Sequence, residues 1–209
     1  MPENENRQWI LKSRPDGMPT EADFELVDSP MPSPEYGQVL IKSLWNSLDP
    51  YMRGRITSSP IGGVIESEAV GRVMESRLDG INAGDIVRGR IGWQEYGVIA
   101  GHLARKIEPG LAPISTSLGV LGMPGMTAYF GLLEVGRPVP GDTVVVSAAS
   151  GAVGAAVGQI AKLMDCRVVG IAGTDEKVAY LTGELGFDAG INYRTRDVDA
   201  ALGESCPAG

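Results

Sequence analysis

In the first half of the chain, apolar residues come in short runs broken by turn-formers. RQWILKS (7–13) and DFELVDS (23–29) are β-favouring runs separated by the turn-rich RPDGMPTEA. After the proline-rich SPMPSPEYG, the stretch QVLIKSLWNSLD (38–49) alternates. Val39, Ile41, Ser43 and Trp45 face one way, and Leu40, Lys42 and Leu44 the other. GGVIESEAVGRVMES (62–76) continues the strand pattern, with Gly62, Gly63 and Gly71 marking bends or bulges. AGDIVRGRIGWQEYGVIA (83–100) supplies a turn and two more strands. Many short strands punctuated by glycine predict a partly open β-barrel.

The texture changes near Gly122. MPGMTAYFGLLEVG (123–136) has helical spacing at Met126, Tyr129, Phe130 and Leu133, with Gly136 as a stop. From there buried-type strands alternate with helices. PGDTVVVSAAS is a turn and a strand, GAVGAAVGQIAKLMD an apolar helix, and CRVVGIAG a second strand. TDEKVAYLTGELG is a helix with Thr174 as N-cap and Gly186 at its end. DAGINYR is a third strand and DVDAALGES a short helix. This alternation predicts βαβ units on a parallel sheet. The expected class is α/β: a barrel-like domain over 1–122 and a doubly wound domain over 123–209. A doubly wound sheet usually has five or six strands and only three are legible, so the second domain is expected to be incomplete and its open sheet edge prone to pairing.

Charge and composition narrow the function classes. The net charge of −8 comes with no Lys/Arg cluster, which argues against a nucleic-acid partner. Two cysteines and one histidine cannot supply the roughly four N/S ligands of a structural zinc site. The cysteines, Cys166 and Cys206, are too few for a disulfide framework and fit a reducing, cytoplasmic setting. The uncharged stretches 109–133 and 143–161 are interrupted by Gly, Pro, Ser and Thr, so no membrane span is expected. His102 is expected exposed at the start of a strand.

The candidate chemistry sits where the first βα turn loses its side chains. Ala149-Ser150-Gly151-Ala152-Val153-Gly154 follows a strand and opens a helix. A dinucleotide pyrophosphate needs such bare backbone, because main-chain N–H groups at a helix N-terminus hold it. Gly158, one turn on, is expected to let the helix lie close to the strand. At the end of the second strand, an NAD site places an acidic residue on the ribose 2′-OH. Here Gly173 and Thr174 occupy that point, leaving room for a 2′-phosphate. Lys177 stands near the start of the next helix to meet it. Asp175 and Glu176 run against this assignment unless both face solvent.

Four segments carry a family resemblance: LDPYMRGR (48–55), GMPGMTAYFGL (122–132), AASGAVGAAVGQIAK (148–162) and GTDEKVAYL (173–181). In that order the chain resembles the zinc-free medium-chain dehydrogenase/reductases, in the branch of prostaglandin, 2-alkenal double-bond and curcumin reductases. The resemblance covers essentially the whole chain and about the first three-fifths of a typical member. It implies a GroES-like barrel followed by a Rossmann domain, with NADPH in the cleft between them. The implied reaction is reduction of the carbon–carbon double bond of enals and enones, in a full-length homodimer. It also implies cofactor contacts from Gly151, Ala152, Val153 and Gly154, from Lys177 and from Tyr193, with Met123 and Thr127 on the nicotinamide side. Tyr51 is a candidate pocket residue, and Arg53 is expected to be structural. Two other functions remain open: an NADPH quinone reductase, and a non-catalytic truncated nucleotide-binding protein.

Overall fold

The strand patterns of the first half become two antiparallel assemblies. The computed structural model describes residues 5–207, and the chain divides into two units, Met1–Leu118 and Gly119–Gly209. In the first unit, β1 (Glu5–Leu11) and β2 (Phe24–Pro30) form a hairpin. A five-stranded antiparallel sheet then forms in the order β6-β3-β4-β5-β7. Its strands are β3 (Gln38–Asn46), β4 (Glu68–Ser76), β5 (Ile86–Arg90), β6 (Tyr96–Ala100) and β7 (Arg105–Lys106). The hairpin is stitched to neighbouring loops by bridges from Gln8 to Gln94 and from Ile10 to Val64, which is how the barrel partly closes. Val39, Ile41, Val73, Val87 and Ile99 fill one core, and Leu11, Ile56 and Ile65 a second one under Phe24 and Trp93.

The alternation in β3 holds only to Ile41. Val39 and Ile41 are fully buried, but Trp45, expected on their face, is 54 % exposed. The β3–β4 ladder slips between Ser43 and Trp45, next to the Ser43–Gly71 pair. A bulge of this kind adds a residue to one strand and resets which face each later side chain takes. His102 is exposed as expected. It lies, however, in a 3-10 turn, Gly101–Leu103, between β6 and β7 and not at a strand start.

In the second unit, β8 (Thr143–Val146), β9 (Arg167–Ala172) and β10 (Ala189–Asn192) form a parallel sheet in the order β10-β9-β8. With α1 (Tyr51–Arg55) in the first unit, the remaining helices are α2 (Met123–Tyr129), α3 (Ala152–Leu163), α4 (Asp175–Gly183) and α5 (Val198–Ser205). Val168, Leu181, Ala149, Ala161 and Phe187 form the core between sheet and helices. The parallel strands and intervening helices make this a Rossmann-type half-sheet, so the α/β class expected from the periodicity holds. No helix among the described residues is long and apolar enough to cross a membrane.

Two helices show which residues take the inward face. The large residues Met126, Tyr129 and Phe130 of the 123–136 segment are about half exposed, and the buried positions are Pro124, Gly125, Ala128 and Leu132. Small residues win the inward face because the chain folds tightly there. A Cβ on Gly125 would stand 1.7 Å from the Val120 carbonyl oxygen. The segment also changes winding: after Tyr129 it continues as a π-helix (Phe130–Gly136), and Arg137 ends it in the left-handed region at φ 50°.

The second case is Gly158 on α3. The nearest atoms to a Cβ there belong to the Phe187 ring, at 1.9 Å, so that ring occupies the space beside it. Gly158→Ala is therefore expected to cost about 1–3 kcal/mol in urea unfolding. The loss should shrink in a Phe187→Leu background, as a double-mutant cycle would reveal.

Candidate functional site

The site in the second unit is built where β8 ends. Ala149 continues the strand by donating its N–H to the Ile171 carbonyl (3.1 Å), and is itself fully buried. Before it, Ala148 takes a left-handed conformation at φ 47°, which is uncommon for a residue with a Cβ. The Gly151 N–H then closes a tight turn onto the Ala148 carbonyl (2.9 Å), and α3 begins.

The two glycines of this turn differ. A Cβ on Gly154 would stand 2.6 Å from the Ala148 oxygen and 2.8 Å from the Ala149 Cα, so the fold itself requires glycine there. A Cβ on Gly151 would find only the Ala148 oxygen, at 3.2 Å. Apart from that one close contact, the space beside Gly151 is open. No side chain caps α3, so the N–H groups of its first turn point outward without an internal acceptor. An uncapped helix N-terminus of this kind favours an anion.

The second-strand end lies at the same carboxyl edge of the sheet, where ligands of open α/β sheets bind. Tyr193, just past β10, donates its N–H to the Ala172 carbonyl (3.1 Å), and its ring covers Gly173. A Cβ on Gly173 would stand 2.9 Å from the Tyr193 hydroxyl. Thr174 caps α4 by accepting the Lys177 N–H at 3.2 Å. The exposed Lys177 ammonium forms no ion pair among the described residues. Gly151, Gly154, Lys177 and Tyr193 are thus brought to one edge. Met123 and Thr127 are elsewhere, one turn apart on α2, which packs along α3. The Thr127 hydroxyl donates to the Met123 carbonyl (2.8 Å).

The sequence reading missed two polar features at this edge. Asp175 does not simply face solvent: its carboxylate accepts a 2.6 Å hydrogen bond from the buried Asn192 amide. The Arg194 guanidinium stacks 5.9 Å from the Tyr193 ring centroid. The NYR run carried both signals, since a buried-strand asparagine needs a partner and Arg follows an aromatic.

In the first unit, Tyr51 opens α1 half-buried, with the Arg55 guanidinium 5.1 Å from its ring centroid. Burial pushes its phenol above the ordinary value, the Asp49 charge adds to this, and Arg90 opposes it. Arg53 donates to the Gly17 carbonyl, the structural contact expected of it. A groove of about 1030 Å³ opens elsewhere in this unit, lined by Trp9, Phe24, Leu48 and Trp93 and by the Arg7–Glu95 pair. Tyr51 is not among its lining residues.

Residues 7–107 match the family described as the N-terminal domain of oxidoreductase, and 152–209 the one described as zinc-binding dehydrogenase. A putative NADP-dependent oxidoreductase of Bacillus subtilis is 50 % identical over 97 % of this chain and 62 % of its own length. The NADPH-dependent curcumin reductase of Escherichia coli is 46 % identical over 98 % of this chain and 61 % of its own. The crystal structure of CurA from Vibrio vulnificus in complex with NADPH superposes with a TM-score of 0.90 at 43 % identity, covering 97 % of this chain and 62 % of that one. The chain belongs to the zinc-free medium-chain dehydrogenase/reductases. It spans about three-fifths of the length of the curated relatives it matches. The zinc in the second description belongs to that family's name. Among the described residues, no three His, Cys, Asp or Glu side chains converge as metal ligands.

The raised Tyr51 pKa has a measurable consequence. Its phenol should ionise above the usual value of about 10, seen as the difference between wild type and Tyr51→Phe in an absorbance titration at about 295 nm. Because the folded state holds the proton more tightly, this contribution to stability is complete below the unfolded pKa. It is lost as pH rises through the folded one.

Proposed function

We propose that this chain carries the dinucleotide-binding turn and part of the substrate side of an NADPH-dependent reductase. The substrates are α,β-unsaturated aldehydes and ketones, reduced at the carbon–carbon double bond. One observation carries the reading: at the uncapped start of α3, the space beside Gly151 is open except for the Ala148 oxygen at 3.2 Å. The names of the Bacillus and Escherichia relatives support the choice of nucleotide, and curcumin, an enone, supports the choice of bond.

The residues present fit such a cofactor. Backbone N–H groups from Ala152 to Gly154 would hold the pyrophosphate, to which a positive helix end is complementary. Lys177 would meet the 2′-phosphate, and Tyr193 walls the same corner over Gly173. Met123 and Thr127 approach the nicotinamide side. When bound, NADPH supplies the hydride that adds to the β-carbon of the enone, and the carbonyl oxygen gathers the negative charge. Tyr51 lines the substrate pocket with its proton retained at neutral pH, the form able to donate to such an oxygen.

Two experiments check this. Gly151→Val should abolish NADPH binding while the full chain still unfolds cooperatively on heating, its internal strain limited to the 3.2 Å approach to the Ala148 oxygen. Gly154→Ala should cost about 1–3 kcal/mol of stability through the backbone clash. If Gly151→Val binds NADPH as wild type does, the turn is not the pyrophosphate site. In turnover assays, NADPH should be oxidised with a linear 2-alkenal and, for equal concentrations, faster than NADH. Lys177→Ala should narrow that gap about tenfold, the size of one charge-assisted contact to phosphate. Turnover with a simple quinone but not with the alkenal would replace the enone assignment.

A further inference from the structure

The 2′-phosphate corner contains a carboxylate that ought to spoil it. Asp175 is two residues past Gly173 and two before Lys177, in the first turn of α4. Left free, it would repel a phosphate or neutralise Lys177 or Arg194, neither of which forms an ion pair among the described residues. It is not free. Asn192, 6 % exposed at the end of β10, donates its Nδ2–H to Asp175 Oδ1 at 2.6 Å. The same side chain accepts the Arg194 N–H on its Oδ1 at 3.1 Å, fixing the turn that carries Tyr193 and Arg194. Asn192 pairs in register with Ala172, the residue before Gly173. One buried amide therefore ties the start of α4 to the end of β10 and holds the carboxylate of one and the backbone of the other.

We propose that Asn192 is a positioning residue for cofactor choice: it anchors the Asp175 carboxylate on β10 and so keeps it off the 2′-phosphate and off the cations that meet that phosphate. This rests on the assignment of the corner to NADPH. An amide suits the task because it donates to a carboxylate and accepts from a backbone N–H at once. Removing it leaves a carboxylate free to turn on an exposed helix start.

The test compares two probes that differ only in the 2′-phosphate, adenosine 2′,5′-bisphosphate and adenosine 5′-phosphate, titrated calorimetrically into the full chain. Asn192→Ala should weaken the bisphosphate roughly five- to tenfold, the effect of one like-charge contact at a solvated surface, and the monophosphate by less than about twofold. Adding Asp175→Asn should restore bisphosphate binding, because the charge that Asn192 restrains is gone. If Asn192→Ala does not fold, Asn192→Asp keeps the side chain's shape, turns the hydrogen bond into repulsion, and should weaken the bisphosphate selectively as well. Equal losses for both probes, or no recovery on adding Asp175→Asn, overturn the proposal and leave Asn192 a structural residue only. Lys177→Ala separates the two levels. If it lowers the preference for the bisphosphate while the Asn192 variants do not, only the positioning role falls. If it leaves the preference intact, the 2′-phosphate assignment falls and the positioning role with it.

Discussion

The close seating of α3 against the chain leaving β8 is the constraint from which the second unit follows. The Ala148 carbonyl and Ala149 Cα lie so near the first turn of α3 that Gly154 is the only residue type that fits without a shift. That contact points the helix start at the carboxyl edge of the sheet. It also explains an apparent defect, the left-handed Ala148, which strains the backbone by an amount of order 1–2 kcal/mol. The bend turns the chain from strand to helix across five residues, 147–151, and a looser turn would carry the α3 N-terminus away from the strand end.

Packing below this turn uses the same economy. Gly170 of β9 makes room for Leu181 of α4 and for Phe187, and Gly158 of α3 makes room for the Phe187 ring. One aromatic ring therefore sits against both the sheet and α3. Three glycines of α3 and its turn differ accordingly: Gly158 is filled by a side chain of the chain itself, Gly154 is pressed by backbone, and Gly151 meets only the Ala148 oxygen, at 3.2 Å. Sequence cannot separate them because all three look alike without coordinates.

This is where legibility ended. The order of strands and helices was readable from periodicity and turn residues, and the N-cap at Thr174 from residue type alone, because those signals are local. The inward face of 123–136 was not. Large apolar residues at helical spacing ordinarily mark a core, yet here small residues face inward because the Val120 carbonyl crowds Gly125. Trp45 was misplaced for a related reason, since a bulge shifts phase without leaving a mark in composition. At the site, the bare turn and Lys177 were visible, as was the absence of a carboxylate at Gly173. The Asn192–Asp175 bond was not, because it joins residues 17 apart through a sheet crossover.

Charge at the second-strand end therefore cannot be counted along the sequence. Asp175 and Glu176 beside a single Lys177 sum to an acidic segment, which taken at face value favours a ribose hydroxyl over a phosphate. The fold redistributes that charge by tethering one carboxylate to a buried amide and by bringing Tyr193 and Arg194 from the turn after β10 to the same corner. What a phosphate would meet is charge as the fold places it: Lys177 and Arg194 without an ion pair among the described residues, Asp175 exposed but tethered to Asn192, and Glu176 exposed on α4. The balance at that corner is set by hydrogen bonding between secondary-structure elements, so substitutions that never touch the nucleotide are able to shift it.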